Sequence, residues 1–314
     1  MLRVALVGAG VMGANHARII QADRRSQLTQ VVDPVPARAA AVAAPAGAAV
    51  ARSVGDLTGL VDAAVVAVPT EGHFEVAMAL LEAGIPVLLE KPIAATVAEA
   101  EALLATATRL AVTLAIGHVE RFNPAVLELE KVASAPLHID LRRISSFNPR
   151  GRESVVRDLM IHDIDIACVL AGGEPVTVSA VARRTRGESD DLVVALMTFP
   201  TGVTASLTAS RIGQQKIREI DVTQAENFVH VDLVRGDITI HRVHHVEFLS
   251  EGGPRYSQAG VVEIPYLSNR GEPLALEWSD FVAAVSEGGK PRVGAADGLR
   301  ALRIAEWVER AARG

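Results

Sequence analysis

The chain has 314 residues, a net charge of −6 and a single cysteine, and it is 49% hydrophobic but only 4% aromatic. The acidic balance argues against nucleic acid or an anionic membrane as a partner, and few rings are present to stack on bases or sugars. Because one cysteine cannot form an internal disulfide, a reducing compartment is favoured. Neither a basic leader nor an apolar run of about 20 residues is evident, so the sequence predicts a soluble, cytoplasmic protein.

Residues 1–117 alternate short apolar strands with amphipathic helices. This alternation predicts a dinucleotide-binding α/β domain of the Rossmann type, in which a doubly wound parallel sheet has helices on both faces. The predicted strands cover residues 2–7, 28–32, 63–68, 86–89 and 112–116. One predicted helix begins near Val11, and three others cover residues 36–44, 72–83 and 96–109. Thr96 and Glu99 form a capping box at the start of the last one.

The pattern changes in residues 118–314, which predict a second, α+β domain for substrate binding and oligomerisation, with a large, open, mainly antiparallel sheet. Its predicted helices are 123–133, 156–170, 275–287 and 297–312, and the last is expected to pack back on the first domain. Its extended segments are 137–147 and most of 176–267, with turns at 187–188, 200–202 and 235–237. Since an open sheet leaves one face to be covered, we expect a homodimer or homotetramer formed through it.

Three glycines follow the first strand, in the order Gly8-Ala9-Gly10-Val11-Met12-Gly13. After a strand and before a helix, the first glycine makes a tight turn, the second lets a pyrophosphate approach the backbone and the third lets helix and strand pack closely. The N–H groups at the helix start, near Val11 and Met12, supply an anion site.

Asp33 ends the second predicted strand, twenty residues beyond Gly13. A carboxylate there accepts hydrogen bonds from the ribose hydroxyls of NAD and disfavours the 2′-phosphate of NADP. Pro34 and Val35 offer no neighbouring cation, and Arg38 lies some distance along the chain. The sequence therefore predicts NAD rather than NADP as the cofactor.

Two further segments end strands at the sheet edge where ligands of doubly wound sheets bind. Pro69 and Thr70, with His73 nearby, follow one strand, and Glu90 and Lys91 end the next. Lys91 follows a fully apolar run, so it either points into the crevice, where it hydrogen-bonds a substrate hydroxyl, or extends into solvent beside Glu90. The local sequence leaves both alternatives open.

Asp158, His162 and Asp165 fall at positions i, i+4 and i+7 of a predicted helix and so share one face. A carboxylate beside an imidazole orients the ring and stabilises its charged form, which suits proton transfer, and Asp165 is a candidate substrate contact. The alternative is a surface helix whose acid–histidine pair neutralises itself. We expect no metal site, because these residues lack a zinc-binding spacing. A second group of histidines, His241, His244 and His245, lies on one strand. Because side chains alternate between the two faces of a strand, His244 points away from the other two, and the three cannot bind one metal ion together.

The segment 117–124 leaves the last strand of the first domain and carries three candidate substrate contacts: His118, Arg121 and Asn123. Asn123 followed by Pro124 is also typical of an ordinary helix start, with Asn as the N-cap and Pro at the first helical position. Four more arginines either hold a diphosphate or are solvated charges: Arg142, Arg143, Arg150 and Arg152.

Taken together, these segments resemble the Gfo/Idh/MocA (glucose–fructose oxidoreductase and inositol dehydrogenase) family along the whole chain. The glycine loop, Pro69-Thr70 with His73, Glu90-Lys91-Pro92 and the Asp158/His162 pair occur in the family's order. The segments 117–124 and 158–165 look most like a subgroup similar to UDP-N-acetylglucosamine 3-dehydrogenases. One departure is that residues 154–157, which include Arg157, lack the glycines of many members.

The resemblance implies roles for these residues. Lys91 and His162 look like the catalytic pair, and Asp158 looks like a substrate-positioning acid. The implied cofactor contacts are the glycine loop with Asp33, Pro69, Thr70, His73, Glu90 and Lys91.

The resemblance also implies an NAD-dependent dehydrogenase that reversibly oxidises a secondary hydroxyl of a sugar, nucleotide sugar or cyclitol. His162 or Lys91 takes the hydroxyl proton, and Lys91 polarises the developing oxyanion. Three alternatives stay open. They are an inositol 2-dehydrogenase-type activity on free cyclitols, a redox-neutral hydrolase or lyase that uses bound NAD transiently, and a non-catalytic dinucleotide-binding module.

Overall fold

The computed structural model describes residues 1–147, 153–186, 189–250 and 253–313, and the side chains of these residues except 244–250 and 253–257. The chain divides into two compact units. The first comprises Met1–Phe122 and Gly271–Arg303, and the second comprises Asn123–Arg270 and Ile304–Gly314. In the described part of the chain, no helix combines the length and the apolar character needed to cross a membrane.

The first unit contains a six-stranded parallel sheet with the strand order β3-β2-β1-β4-β5-β6. Its strands are β1 (Leu2–Val7), β2 (Ser26–Val32), β3 (Ala49–Val50), β4 (Ala63–Val66), β5 (Val87–Glu90) and β6 (Leu114–Gly117). The connecting helices are α1 (Val11–Ala22), α2 (Pro36–Ala43), α3 (His73–Glu82) and α4 (Val97–Leu110). The strand order reverses between β1 and β4, which is the switch point of a doubly wound sheet. The predicted Rossmann architecture is confirmed.

Local sequence explains where these elements form. All four residues of β4 and the first three of β5 are buried, as the strands of a sheet covered on both faces must be. The predicted capping box is present, because the Thr96 hydroxyl accepts the Glu99 N–H and the Glu99 carboxylate accepts the Thr96 N–H. β3 has only two residues, both exposed, and no pattern in the sequence predicts it.

The second unit contains a sheet of eight strands in the order β14-β13-β12-β11-β7-β10-β9-β8. The strands are β7 (Pro136–Ile144), β8 (Thr177–Arg183), β9 (Leu192–Thr198), β10 (Thr204–Ser210), β11 (Ile217–Gln224), β12 (Phe228–Asp232), β13 (Asp237–Ser250) and β14 (Gly253–Glu263). Neighbouring strands run antiparallel except β7 and β10. The predicted mainly antiparallel sheet is confirmed, while the turn predicted at 187–188 lies outside the described residues.

Helices α5 (Pro124–Val132) and α6 (Ile161–Ala171) pack on this sheet. Buried and less buried residues alternate along β9 and β10, as expected where only one face is covered. The other face carries exposed apolar side chains, among them Val181, Leu196 and Val262, which are 61%, 52% and 57% exposed.

The last two helices are α7 (Pro273–Glu287) and α8 (Ala295–Ala311). α7 belongs to the first unit, and α8 supplies residues to both units. Trp278 and Phe281 of α7 are 1% exposed and lie in one core cluster with Ile20 and Leu28 of the first unit. The indole N–H of Trp278 donates to the Ser26 hydroxyl at 3.2 Å.

Candidate active site

The glycine loop has the geometry that its three glycines predict. Gly8 has a φ of +98°, and a Cβ built on it would lie 2.4 Å from the carbonyl oxygen of Ala67. A Cβ at Gly13 would lie 1.9 Å from the carbonyl oxygen of Gly8, so the helix passes directly against the loop. A Cβ at Gly10 would meet no described atom within 4 Å. The backbone at Gly10 is therefore open to a ligand.

The N-terminus of α1 fits a dinucleotide phosphate. Its N-cap is Gly10, which provides no side chain to cap the first N–H groups, and the fully described first turn carries no acidic residue. Val11 and Met12 are 82% and 38% exposed. Uncapped N–H groups and the positive end of the helix dipole favour an anion at this position.

Asp33 is tied into the glycine loop. Its Oδ2 accepts the N–H of Ala9, and its Oδ1 accepts the N–H of Val35, both at 2.8 Å. Arg38 Nε lies 3.3 Å from Oδ1, which corrects the prediction that no cation neighbours Asp33. The reason is that α2 begins at Pro36 and its first turn brings Arg38 back to the strand end. Each carboxylate oxygen has two lone pairs, so ribose hydroxyls can still be bound.

His73 joins the two loops that follow β4 and β5. Its Nδ1 lies 2.7 Å from the carbonyl oxygen of Pro92, and its Nε2 lies 3.0 Å from that of Val68. The residue is 1% exposed. His73 therefore holds these loops together, while Pro69 is exposed and Thr70 half-buried at the same sheet edge.

Glu90 connects α1 with Lys91. Its Oε1 lies 2.7 Å from Nε2 of His16, and its Oε2 accepts the backbone N–H of Lys91 at 3.3 Å. Burial raises the pKa of Glu90, but the hydrogen bond from His16, together with nearby Lys91, brings this pKa below its ordinary value. Glu90 is thus a charged carboxylate whose side chain is 13% exposed. Lys91 follows it, half-buried, and precedes Pro92 through a cis peptide bond.

The residues after β6 are buried rather than arranged as an open loop. Residues Val119–Phe122 form a 3-10 turn that contacts α7. His118 and Arg121, two of the candidate substrate contacts, are 1% and 6% exposed. Asn123, in the second unit, accepts the Ala125 N–H and so caps α5, as its helix-start interpretation predicts.

The helix that bears Asp158 and His162 begins with one π-helical turn, Val156–Met160, and continues as α6 from Ile161. The predicted i, i+4 spacing therefore crosses a change of helical pitch, and π turns concentrate at functional sites. The surface-helix alternative is excluded, because His162 is 9% exposed and Asp165 is 0% exposed. Asp158 is half-buried. The burial of Asp165 leaves essentially no exposed atom for a substrate, which corrects that expectation.

A buried ion pair fixes α6 to the sheet. Nη2 of Arg143, in β7, lies 2.7 Å from Oδ1 of Asp163, and Nε donates to both carboxylate oxygens. The two side chains are 1% and 4% exposed. Since Asp163 follows His162 directly, the pair sets the orientation of the turn that carries the histidine. Arg143 is therefore engaged within the second unit.

Two more arginines considered above also bind carboxylates of the second unit. Arg142 Nη2 lies 2.7 Å from Glu219 and 3.3 Å from Asp221. Arg157 Nε lies 3.2 Å from Oε2 of Glu309, so its side chain is held by α8. Arg150 and Arg152 lie outside the described residues.

Comparisons with known proteins agree with this architecture. Residues 2–118 match the model of an oxidoreductase family with an NAD-binding Rossmann fold, and residues 133–226 match the Gfo/Idh/MocA C-terminal domain. A UDP-N-acetylglucosamine 3-dehydrogenase of Acidithiobacillus ferrooxidans is 34% identical over 91% of this chain and 89% of its own. An inositol 2-dehydrogenase of Rhizobium meliloti is 26% identical over 98% of this chain and 96% of its own.

A solved structure of the Acidithiobacillus enzyme superposes with a TM-score of 0.89 at 32% identity, covering 99% of this chain and 97% of that one. The fold and the two family matches together define an NAD-binding oxidoreductase. The chain belongs to the Gfo/Idh/MocA family. It is a dehydrogenase that acts on CH–OH groups, with NAD as its cofactor.

Proposed function

We propose that the protein reversibly oxidises a secondary hydroxyl of a nucleotide sugar of the UDP-N-acetylhexosamine type to a ketone. The observation that carries this substrate class is the 34% identity, over 91% of the chain, to a UDP-N-acetylglucosamine 3-dehydrogenase. The half-buried Lys91 and the Asp158/His162 helix supply the residue types that the reaction needs. In this proposal residues 1–117 bind the dinucleotide and residues 118–314 bind the sugar.

Held by the glycine loop and Asp33, NAD would supply the nicotinamide carbon that accepts the hydride. Oxidation of the alcohol also releases one proton, and we assign its acceptance to His162 or Lys91. The Lys91 side chain polarises the developing oxyanion, and Asp158 orients the ring hydroxyls. The glycine loop and Asp33 hold the dinucleotide.

A second candidate is oxidation of a free cyclitol. Arg142 and Arg143, two of the cations considered for a diphosphate, are already bound to carboxylates within the second unit. A relative named as an inositol 2-dehydrogenase also aligns over 98% of the chain. These observations favour a substrate without a diphosphate, so cyclitols belong in the test.

Purified protein with NAD is incubated with UDP-N-acetylglucosamine, UDP-N-acetylgalactosamine or myo-inositol while NADH absorbance is followed. We expect NADH from a UDP-sugar and an accompanying rise in the thermal midpoint, because a ligand that binds the native state stabilises it. If only myo-inositol yields NADH, the substrate is a cyclitol and the proposed nucleotide-sugar substrate is wrong. Product without NADH accumulation would identify redox-neutral chemistry, and an NAD complex inert to every compound would identify a binding module.

Self-association is proposed to cover the exposed face of the eight-stranded sheet. Val181 and Leu196 are exposed on the neighbouring strands β8 and β9 of that face, and exposed apolar patches mark interaction surfaces. Light scattering is expected to give a homodimer or homotetramer. Leu196 is 52% exposed on this face. Leu196→Asp puts a charge into the proposed interface and is expected to yield monomers.

A further inference from the structure

Glu277 is a buried carboxyl group that the proposed reaction does not use. The residue is 2% exposed, and neither of its carboxyl oxygens has a hydrogen-bond partner among the residues that the structure describes. The other buried residues of α7 are apolar: Leu274, Trp278, Phe281, Val282 and Ala284. Burying an unpartnered acid is costly, most of all when it is ionised, so its presence here needs an explanation.

The charge of Glu90 acts on Glu277 from segments packed against α7: His16 of α1 holds the Glu90 carboxylate, Gly117 lies against it, and both α1 and the turn after Gly117 contact α7. Burial raises the pKa of Glu277 well above its ordinary value, and the charges of Glu90 and Asp280 raise it further. The pKa of Glu90 is shifted the opposite way, because His16 and Lys91 outweigh its burial. Two neighbouring carboxyls in a low-dielectric interior do not both ionise. Glu277 therefore carries a proton and Glu90 carries the charge.

Other titratable groups reach α7 from the two segments packed against it. The 3-10 turn after β6 carries a buried glutamate and a buried arginine, and α1 carries a buried histidine and an exposed arginine. These groups are Glu120, Arg121, His16 and Arg18. The arginine of α1 pairs with Glu272 at the helix start, and the pKa of Glu277 is raised first by burial and then by the charges of Glu90 and Asp280.

Glu90 has little freedom to move. His16 holds Oε1, and the backbone N–H of Lys91 holds Oε2. On the third side, a Cβ at Gly117 would lie only 3.2 Å from Oε2, so β6 passes directly against the carboxylate. A second negative charge at Glu277 would push the carboxylate away from His16 or from the Lys91 backbone.

We propose that Glu277 is a positioning residue, which stays protonated beside the charged Glu90 and so keeps Glu90 bound to His16 and to the backbone of Lys91. The inference rests on the proposed function, in which Lys91 polarises the substrate oxygen. Loss of the Glu277 proton places two negative charges behind Lys91, displaces its backbone and lowers turnover. The glycine loop is untouched, so NAD binding continues.

The first test compares wild-type protein with Glu277→Gln, which keeps the shape and cannot ionise. As pH rises, kcat of the wild type is expected to fall at a lower pH than kcat of Glu277→Gln does. KM for NAD is expected to be unchanged within about twofold. The matched control is Glu287→Gln, an exposed acid at the end of the same helix, whose profile is expected to follow the wild type. Superimposable kcat profiles of Glu277→Gln and the wild type would overturn the positioning role.

The second test needs no substrate. The infrared carbonyl band of a protonated carboxylic acid is expected in wild-type protein at neutral pH. Glu90→Gln removes the repelling charge, so the band is expected to vanish at a lower pH in that variant. Absence of the band, or an unchanged pH for its loss, would overturn the assignment of a proton to Glu277 beside the charged Glu90.

The third measurement is denaturant unfolding against pH. Native Glu277 keeps a proton that the unfolded chain loses as pH rises. Between the pKa of Glu277 in the unfolded chain and its higher pKa in the native protein, the unfolding equilibrium constant of the wild type therefore rises about tenfold per pH unit relative to that of Glu277→Gln. Parallel curves of the unfolding free energy against pH would contradict a protonated Glu277 in the native state. If the wild type oxidises none of the sugars or cyclitols, the proposed function fails, while the infrared and unfolding results still decide whether Glu277 holds the proton.

Discussion

Arg38 lies against Asp33, with its Nε 3.3 Å from Oδ1, while the other oxygen of the same carboxylate accepts the N–H of Ala9. One side chain therefore closes the glycine loop and holds a cation beside the expected position of the ribose. The carboxylate repels a 2′-phosphate, and it also occupies the arginine that would bind one.

Replacing Asp33 with serine removes this repulsion and releases Arg38. The ratio of kcat/KM for NADP to that for NAD is expected to rise by about tenfold or more, which corresponds to about 1.4 kcal/mol. Asp33→Ser with Arg38→Ala is expected to lose most of that gain. Equal rates of the wild type with both cofactors would contradict the preference for NAD.

Gly10 and Gly13 are expected to respond differently to alanine. A Cβ at Gly10 enters open space, so Gly10→Ala keeps the thermal midpoint of the apo protein but weakens NAD binding. A Cβ at Gly13 overlaps the Gly8 carbonyl oxygen, so Gly13→Ala lowers the midpoint as well. Calorimetric unfolding and NAD titration of both variants separate the two effects. A lower apo midpoint for Gly10→Ala would contradict the open space at that residue.

Removing the amine of Lys91 tests its chemical role. Lys91→Ala is expected to bind NAD as the wild type does and to lose about 10²- to 10⁴-fold in kcat, the range for a positioned acid–base group. The exposed Lys290, changed to alanine, is the control and is expected to keep full turnover. Unaltered turnover in Lys91→Ala would remove this residue from the mechanism.

The buried pair of Arg143 and Asp163 is expected to dominate the stability of the turn that carries His162. Asp163→Ala leaves a buried guanidinium without its carboxylate, which costs about 3–5 kcal/mol in the free energy of unfolding. Changing both residues to apolar ones of similar size is expected to restore much of the loss. Urea unfolding measures this, and a loss no larger than that of Glu272→Gln, which breaks an exposed pair, would show that the buried pair is not stabilising.

Features set by short-range pattern were predictable from the sequence. β1 appears at Leu2–Val7 and the capping box at Thr96 and Glu99, because each depends on the order of neighbouring residues. The glycine loop is also local, since the turn and the helix start fall within six residues.

Features that join distant segments were not predictable. His16 and Glu90 are 74 residues apart, and nothing in either segment indicates the other. Burial of Arg121 follows from the contact between its turn and α7, which the local polar pattern cannot reveal. The π turn before α6 leaves the sequence spacing of Asp158 and His162 unchanged while it changes their geometry.

The placement of α7 in the first unit has a consequence for synthesis. Trp278 and Phe281 complete a core whose other members include Ile20 and Leu28, so those early residues wait for a helix made some 250 positions later. A nascent chain that has emerged only through Phe122 displays an apolar surface with nothing yet translated to cover it. We therefore expect the first unit to be a substrate of chaperones on the ribosome until α7 has left the exit tunnel.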